Sequence, residues 1–217
     1  MKTFLSIGSG RGMGYATAAR FASEGFQIVL SARNPTNTRD LADRLKAKGY
    51  RAEVRTVNSA DPESVAALIA DIEKQFGSID VLHYNAASLR KATLREQSRA
   101  SFVEDLAVNI GGALVATQAV IQQMSERRSG TILLTGGGLS LAPNSEFISL
   151  SIGKAGIRTL TLGTFESLKR QGIHIATVTV SAAVAPDSEE AEAVADCFWQ
   201  LHSQPIGKWT AEVTYPG

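Results

Sequence analysis

The strongest constraint on what this chain can fold into lies at its amino end. A short apolar run, Thr3-Phe4-Leu5-Ser6-Ile7, enters Gly8-Ser9-Gly10-Arg11-Gly12-Met13-Gly14 without a linker, and a helical pattern follows over residues 15–23. Strand, glycine turn and helix in that order bring backbone N–H groups and the positive end of a helix dipole to one point, where a phosphate is favoured. Glycines permit the tight turn, the close approach of a ligand and the close packing of helix on strand. The spacing Gly8-x3-Gly12-x-Gly14 departs from the common dinucleotide fingerprint. The place of the run between strand and helix therefore carries the argument, and a bare strand-to-helix turn is the competing reading.

The rest of the chain repeats the alternation. Strands are expected over residues 3–7, 27–31, 52–57, 79–84, 131–135 and 173–180, with a terminal one at 209–213. Helices are expected over 15–23, 37–48, from Asp61-Pro62 through Phe76, over 93–125 with a break near Ser98, over 151–169 and over 188–200. Asp61 is a cap, and Pro62 sits where its missing N–H is harmless. Strands separated by helices of this length pair in parallel through right-handed crossovers. Ile28-Val29-Leu30 and Ile132-Leu133-Leu134 are apolar without alternation, as burial on both faces requires. The fold expected is α/β, a doubly wound Rossmann-type parallel sheet of about seven strands with helices on both faces. Residues 1–217 are expected to form a single dinucleotide-binding domain.

Composition narrows the partners. Lys+Arg is 22 and Asp+Glu is 21 in 217 residues, a formal net charge of +1. That balance makes no case for nucleic acid or for a polybasic membrane patch. The single cysteine, Cys197, forms no internal disulfide, and three scattered histidines show no metal-ligand spacing. No apolar run is long enough to span a bilayer, and the amino end enters its glycine turn too soon for a signal peptide. A cytoplasmic protein acting on a small molecule, without metal, is the expectation.

At the end of the second strand a carboxylate would favour the free 2′-hydroxyl of NAD. This chain has Ser31-Ala32-Arg33-Asn34 and no carboxylate before Asp40. Arg33 and Arg11 are suited to a 2′-phosphate, which favours NADP(H) over NAD(H). Two solvent-facing arginines are the plainer alternative.

Over residues 3–180 the sequence resembles the classical short-chain dehydrogenase/reductase family. Gly8, Arg11, Gly12, Met13 and Gly14 lie in a run similar to its cofactor-binding glycine motif. Asn58 falls where the family has an aspartate near the adenine, and Asn85-Ala86-Ala87 resembles its Asn-Ala-Gly segment. Asn109, in Val108-Asn109-Ile110-Gly111-Gly112, matches an asparagine that supports a proton-relay water, and Lys154 matches the family lysine. The family's tyrosine lies four residues before that lysine, which is Leu150, and its serine thirteen before the tyrosine, which is Gly137. By that count the resemblance implies a divergent member lacking the catalytic serine and tyrosine. It also implies a shortened substrate region, since the acidic helix start at Asp187 follows soon after the sixth strand.

The implied activity is a short-chain dehydrogenase/reductase-like oxidoreductase acting on a small carbonyl or alcohol. The alternative is an NADP(H)-binding protein with impaired catalysis and a sensor, regulatory or structural role. Leucine donates no proton, so a substitute phenol is sought, and Tyr84 at the end of the fourth strand carries the right chemistry. His83, His174, Ser149 and Cys197 have ordinary packing roles as the expectation. The resemblance also implies a homodimer or homotetramer, with Leu106, Val115, Ile121 and Leu162 available for apolar contacts.

Overall fold

A computed structural model gives the fold, and residues 1–216 are described. The strands are β1 (Thr3–Ile7), β2 (Gln27–Ala32), β3 (Ala52–Thr56), β4 (Val81–Tyr84), β5 (Gly130–Thr135), β6 (Ile173–Val180) and β7 (Glu212–Tyr215). They form one sheet in the order β3-β2-β1-β4-β5-β6-β7, and every pairing is parallel. The order reverses between β1 and β4, and a crevice opens there beyond the carboxyl ends of the strands.

The helices are α1 (Met13–Ser23), α2 (Pro35–Ala47), α3 (Pro62–Phe76), α4 (Arg99–Leu106), α5 (Gly112–Arg127), α6 (Ile148–Arg170) and α7 (Glu189–Ser203). They cover both faces, which explains why the central strands are buried throughout. Leu5, Ile7, Leu82, Ile132 and Ile175 face the core beneath α3, α5 and α6. Phe4, Ile28, Leu30, Leu133 and Val178 face the core beneath α1, α2 and α7. The expected doubly wound α/β sheet is the sheet observed.

Several boundaries move for identifiable reasons. α2 starts at Pro35 because Asn34 caps it, its side chain accepting from the Thr36 N–H at 3.0 Å. α6 begins at Ile148, three residues before the expected start, which places Leu150 in its first turn. The last strand begins at Glu212, because Trp209 stacks on His174 with ring centroids 4.7 Å apart. The expected break at Ser98 is its N-cap to α4. A second irregularity was not foreseen: Ala107–Gly111 is a π-helical turn joining α4 to α5. The helical run Arg99–Arg127 is long and apolar enough by length and composition to cross a membrane. Here its apolar face lies on the sheet, with Ala113, Ala116, Val120 and Met124 fully buried.

Candidate active site

The site begins with the glycine turn. The Gly8 and Ser9 N–H groups both donate to the Ser31 carbonyl, at 2.9 and 3.0 Å. Ser31 returns its own N–H to Ser9 Oγ at 3.1 Å, so the turn is stitched to β2. Gly8 has φ +86°, and a Cβ there would lie 2.3 Å from the Ala86 nitrogen. Only glycine fits. Gly10 and Gly12 are different, because a Cβ on either meets open space or one oxygen at 4.0 Å. The room beside them is cavity rather than protein. α1 opens at Gly12 with no side-chain cap; the Tyr15 N–H turns back to the Gly10 carbonyl at 2.9 Å, which leaves the Gly12, Met13 and Gly14 N–H groups for an anion.

The cavity measures about 870 Å³ and runs from this turn across the ends of β1, β4, β5 and β6. Arg33, exposed at the end of β2, lines one side, and Lys154 on α6 lies at the far end. Gly136-Gly137-Gly138 and the segment from Val180 to Pro186 close the rim. Leu89, Leu139, Leu141, Ala142 and Leu150 make the wall around Lys154 apolar.

Buried polar groups hold this far end together. Thr135, at the end of β5, donates its hydroxyl to Asn85 Oδ1 at 3.0 Å, and Asn85 Nδ2 donates to the Gly8 carbonyl at 2.9 Å. Since the Thr135 hydroxyl proton is committed, His83 Nε2 donates to Thr135 Oγ1 at 3.1 Å. Full burial pushes the His83 imidazole down to about 3, so it is neutral. Lys154 Nζ donates to the Thr135 carbonyl at 2.7 Å, and burial lowers the ammonium to about 8. Its stem lies across Gly137, where a Cβ would approach the Lys154 Cγ to 3.2 Å.

Behind this wall sits Asp105, fully buried on α4. It accepts from Ser88 Oγ at 2.6 Å, Arg90 Nε at 2.9 Å, Gln97 Nε2 at 2.8 Å and Ser149 Oγ at 2.9 Å. Burial alone would raise the carboxyl; the hydrogen bonds from Arg90, Ser88 and Ser149 overcome it and hold the group below its ordinary value.

The candidates from sequence separate accordingly. Gly8, Gly12, Met13, Gly14, Arg33, Asn85 and Lys154 all line the cavity. Arg11 lies outside it, in a neighbouring groove with Tyr15, Arg44, Lys48 and Asp187. Asn58 is exposed and turns its amide oxygen to the Ala60 N–H at 3.2 Å. Asn109 is buried and accepts from the Ser88 N–H at 2.7 Å, which ties the loop after β4 to the π-helical turn. Tyr84 is buried away from the cavity, its hydroxyl donating to the Val108 carbonyl at 2.6 Å. Burial pushes this phenol well above its ordinary value. Asp105 and the role of His83 were missed; an aspartate on the inner face of a helix was the only available signal.

The short chain dehydrogenase family profile matches residues 2–193. The chain is 30% identical over 209 residues to a hydroxy(phenyl)methylsuccinyl-CoA dehydrogenase subunit of Thauera aromatica, covering 94% of this chain and 82% of that one. It is 29% identical over 175 residues to a 3-oxoacyl-acyl-carrier-protein reductase of Staphylococcus aureus, covering 80% and 71%. Among solved structures, a short-chain dehydrogenase from Rhodopseudomonas palustris superposes with a TM-score of 0.90 at 25% identity, covering 99% and 97%. A metagenomic short-chain oxidoreductase in complex with NADP superposes at 0.91 with 22% identity, covering 98% and 95%.

One expectation is corrected. The catalytic serine is not lost, for Ser149 occupies the position expected of it, in the first turn of α6 beside Leu150. Counting back from Lys154 to Gly137 crosses the β5–α6 loop, where a 3-10 turn at Gly138–Ser140 sets the length, so a fixed spacing misplaces the residue.

Proposed function

Because the chain belongs to the short-chain dehydrogenase family, we propose that it moves a hydride between a nicotinamide dinucleotide and a small apolar carbonyl or alcohol. The observation that carries this reading is the single cavity joining the uncapped glycine turn to Lys154. Its length and its two cations suit an extended dinucleotide. Backbone N–H groups of Gly12, Met13 and Gly14 receive the pyrophosphate. Arg33, with no carboxylate beside it, receives a 2′-phosphate, so NADP(H) is preferred to NAD(H). A protein of the same fold is in complex with NADP, which supports the choice. Asn85 keeps the turn in register, and Lys154 holds the nicotinamide end. The dinucleotide supplies the hydride; the apolar wall of Leu89, Leu139, Leu141 and Leu150 receives the substrate and excludes water.

Residues 1–217 act as one dinucleotide-binding domain in this proposal, with only the short segment from Val180 to Pro186 following β6 to help enclose the substrate. The free thiol of Cys197 suits a reducing cytoplasm. Exposed Val103, Leu114, Ile152 and Leu162 provide a face for a homodimer or homotetramer. Leu106, Val115 and Ile121 are half-buried on the protein's own core and contribute less.

Titration with NADPH and NADH tests the reading, with NADPH expected to bind more tightly. Equal or tighter binding of NADH removes the assignment of Arg33, and binding of neither removes the site. The leucine-rich wall also favours a second reading, binding without turnover. Loss of reduced-nicotinamide absorbance over a panel of small aldehydes and diketones separates the two. Light scattering at the monomer mass of 23.1 kDa would remove the assembly.

A further inference from the structure

We propose that Lys154 is the proton donor of the reduction, giving its ammonium proton directly to the developing alkoxide. The inference rests on the reading above and adds to it the identity of the acid. It follows first from what lines the cavity. The only ionisable side chains in the lining are Arg33 and Lys154. A guanidinium keeps its protons at any working pH, and Arg33 lies at the adenine end. The lining hydroxyls are weaker acids, and two have committed protons: Ser9 Oγ donates to the Ser6 carbonyl and Thr135 Oγ1 to Asn85.

The phenols lie elsewhere. Tyr84 donates to the Val108 carbonyl from within the core. Tyr15 lies beneath the Arg44 guanidinium, 4.1 Å from its ring centroid. Tyr50 and Tyr215 pack against the opposite core. Ser149 turns its proton to Asp105.

Geometry keeps the ammonium available. Nζ has one protein acceptor, the Thr135 carbonyl, which leaves further N–H groups for a ligand. Gly137 leaves the stem room to lie flat across the end of β5. Among the described residues, no carboxylate pairs with it. On β4, His83 is neutral. On α4, Asp105 is sealed by its donors, and Arg90 pairs with it. Arg158, one turn along α6, pairs with Glu212 of β7 at 2.9 Å. The amide of Asn109 on the π-helical turn is uncharged, and β6 presents only the Thr177 and Thr179 hydroxyls on this side. Desolvation is therefore the one influence that shifts Lys154, and it brings the ammonium to about 8, near the working pH at which an acid catalyst is most effective.

The step balances. The carbonyl carbon receives a hydride from the reduced nicotinamide, which is oxidised. The C=O π pair moves to oxygen, and oxygen takes a proton from Nζ. One N–H bond breaks, one O–H bond forms, and the neutral amine is reprotonated from water.

The test combines a direct titration with kinetics. In the unliganded protein, pH-dependent acylation of lysines read by mass spectrometry should place Lys154 near pH 8, well below ordinary lysines at about 10.4. For NADPH-dependent carbonyl reduction, kcat/KM should fall with unit slope above about pH 8. K154M should lower kcat by about a hundredfold or more. K154R, which keeps the charge without an available proton, should bind NADPH yet share that loss. Added ethylammonium should restore turnover to K154A, which a merely structural lysine would not permit. A midpoint at the ordinary value, a kcat/KM flat through that range, or K154R near full activity overturns the assignment. So does a protein that binds NADPH with no carbonyl-dependent turnover, while the dinucleotide reading survives. Failure to bind either dinucleotide defeats that reading instead.

Discussion

At one end of the cavity the wall is backbone, and at the other it is side chain. Around the glycine turn the cavity is lined chiefly by Gly8, Gly10, Gly12 and Gly14, and what shapes that wall is the absence of Cβ atoms. Around Lys154 the contacts join His83, Asn85, Thr135 and Lys154, with Asp105 and Ser149 behind them. These residues come from different elements and meet only in the folded sheet. The first kind of site tolerates almost any neighbour but no added atom. The second tolerates added volume at its apolar edges but no lost hydrogen bond.

The sharpest way to break this contrast is at Gly8. G8A forces a side chain into positive φ and against Ala86, so a loss of about 3 kcal/mol or more is expected. Chemical denaturation should show it, and a loss under about 1 kcal/mol would mean the turn yields more easily than its geometry implies.

At the other end the equivalent test removes a hydrogen-bond acceptor. D105A strands the Ser88, Gln97 and Ser149 donors and the Arg90 guanidinium, at about 3 kcal/mol. Dinucleotide affinity should remain within about threefold in the folded variant, because the glycine turn is a separate network. A large fall in NADPH affinity would show the two ends to be one unit. The wild-type contribution of Asp105 is present above the ordinary carboxylate range and is lost as pH falls through its depressed folded value.

His83 gives a smaller, pH-dependent effect. Its folded value of about 3 lies below that of an unfolded histidine, so the unfolded chain binds more protons as acid is added. Stability is full above about pH 6.5, and going from there to about pH 5 costs about 2 kcal/mol through this group. His202, lowered to about 4, adds in the same direction. Denaturation curves of H83Q should show a shallower acid slope; an unchanged slope would place the sensitivity elsewhere.

The smallest effect belongs to the neighbouring groove, outside the cavity. Asp187 pairs with Arg44 at 2.6 Å, but both side chains are well exposed. D187N keeps a residue that tolerates the φ of +55° at this position. Its denaturation midpoint should match wild type within error. A clear shift would show that this ion pair carries stability that its exposure does not suggest.

The same contrast explains what could be read in advance. The glycine turn, the parallel alternation and the cap at Asp61 are local, so adjacent residues announce them. The far end is not local. Tyr84 had the right chemistry at the right strand end, but Gly112 admits its hydroxyl beneath α5, where a Cβ on Gly112 would come within 2.4 Å of it. No neighbouring residue signals that. Asn109 and Asn58 likewise have amides whose partners, Ser88 and Ala60, are set by turns that spacing alone does not define. The serine was misplaced because a loop of unfixed length lay inside the count.

The all-parallel strand order also governs how the chain reaches this state. No two neighbouring strands are joined by a hairpin, so each pairing must wait for an intervening helix. β1 pairs early with β2, yet its other edge must wait for β4: Thr3 donates to Asp80, 77 positions along the chain. Until β4 arrives, the apolar edge of Phe4, Leu5 and Ile7 stands open at what becomes the middle of the sheet. Loop closure over such separations makes folding slow, and an unpaired edge of this kind is a template for a second chain. During synthesis or dilution from denaturant, aggregation should therefore begin at β1, a strand buried along its whole length once folding ends.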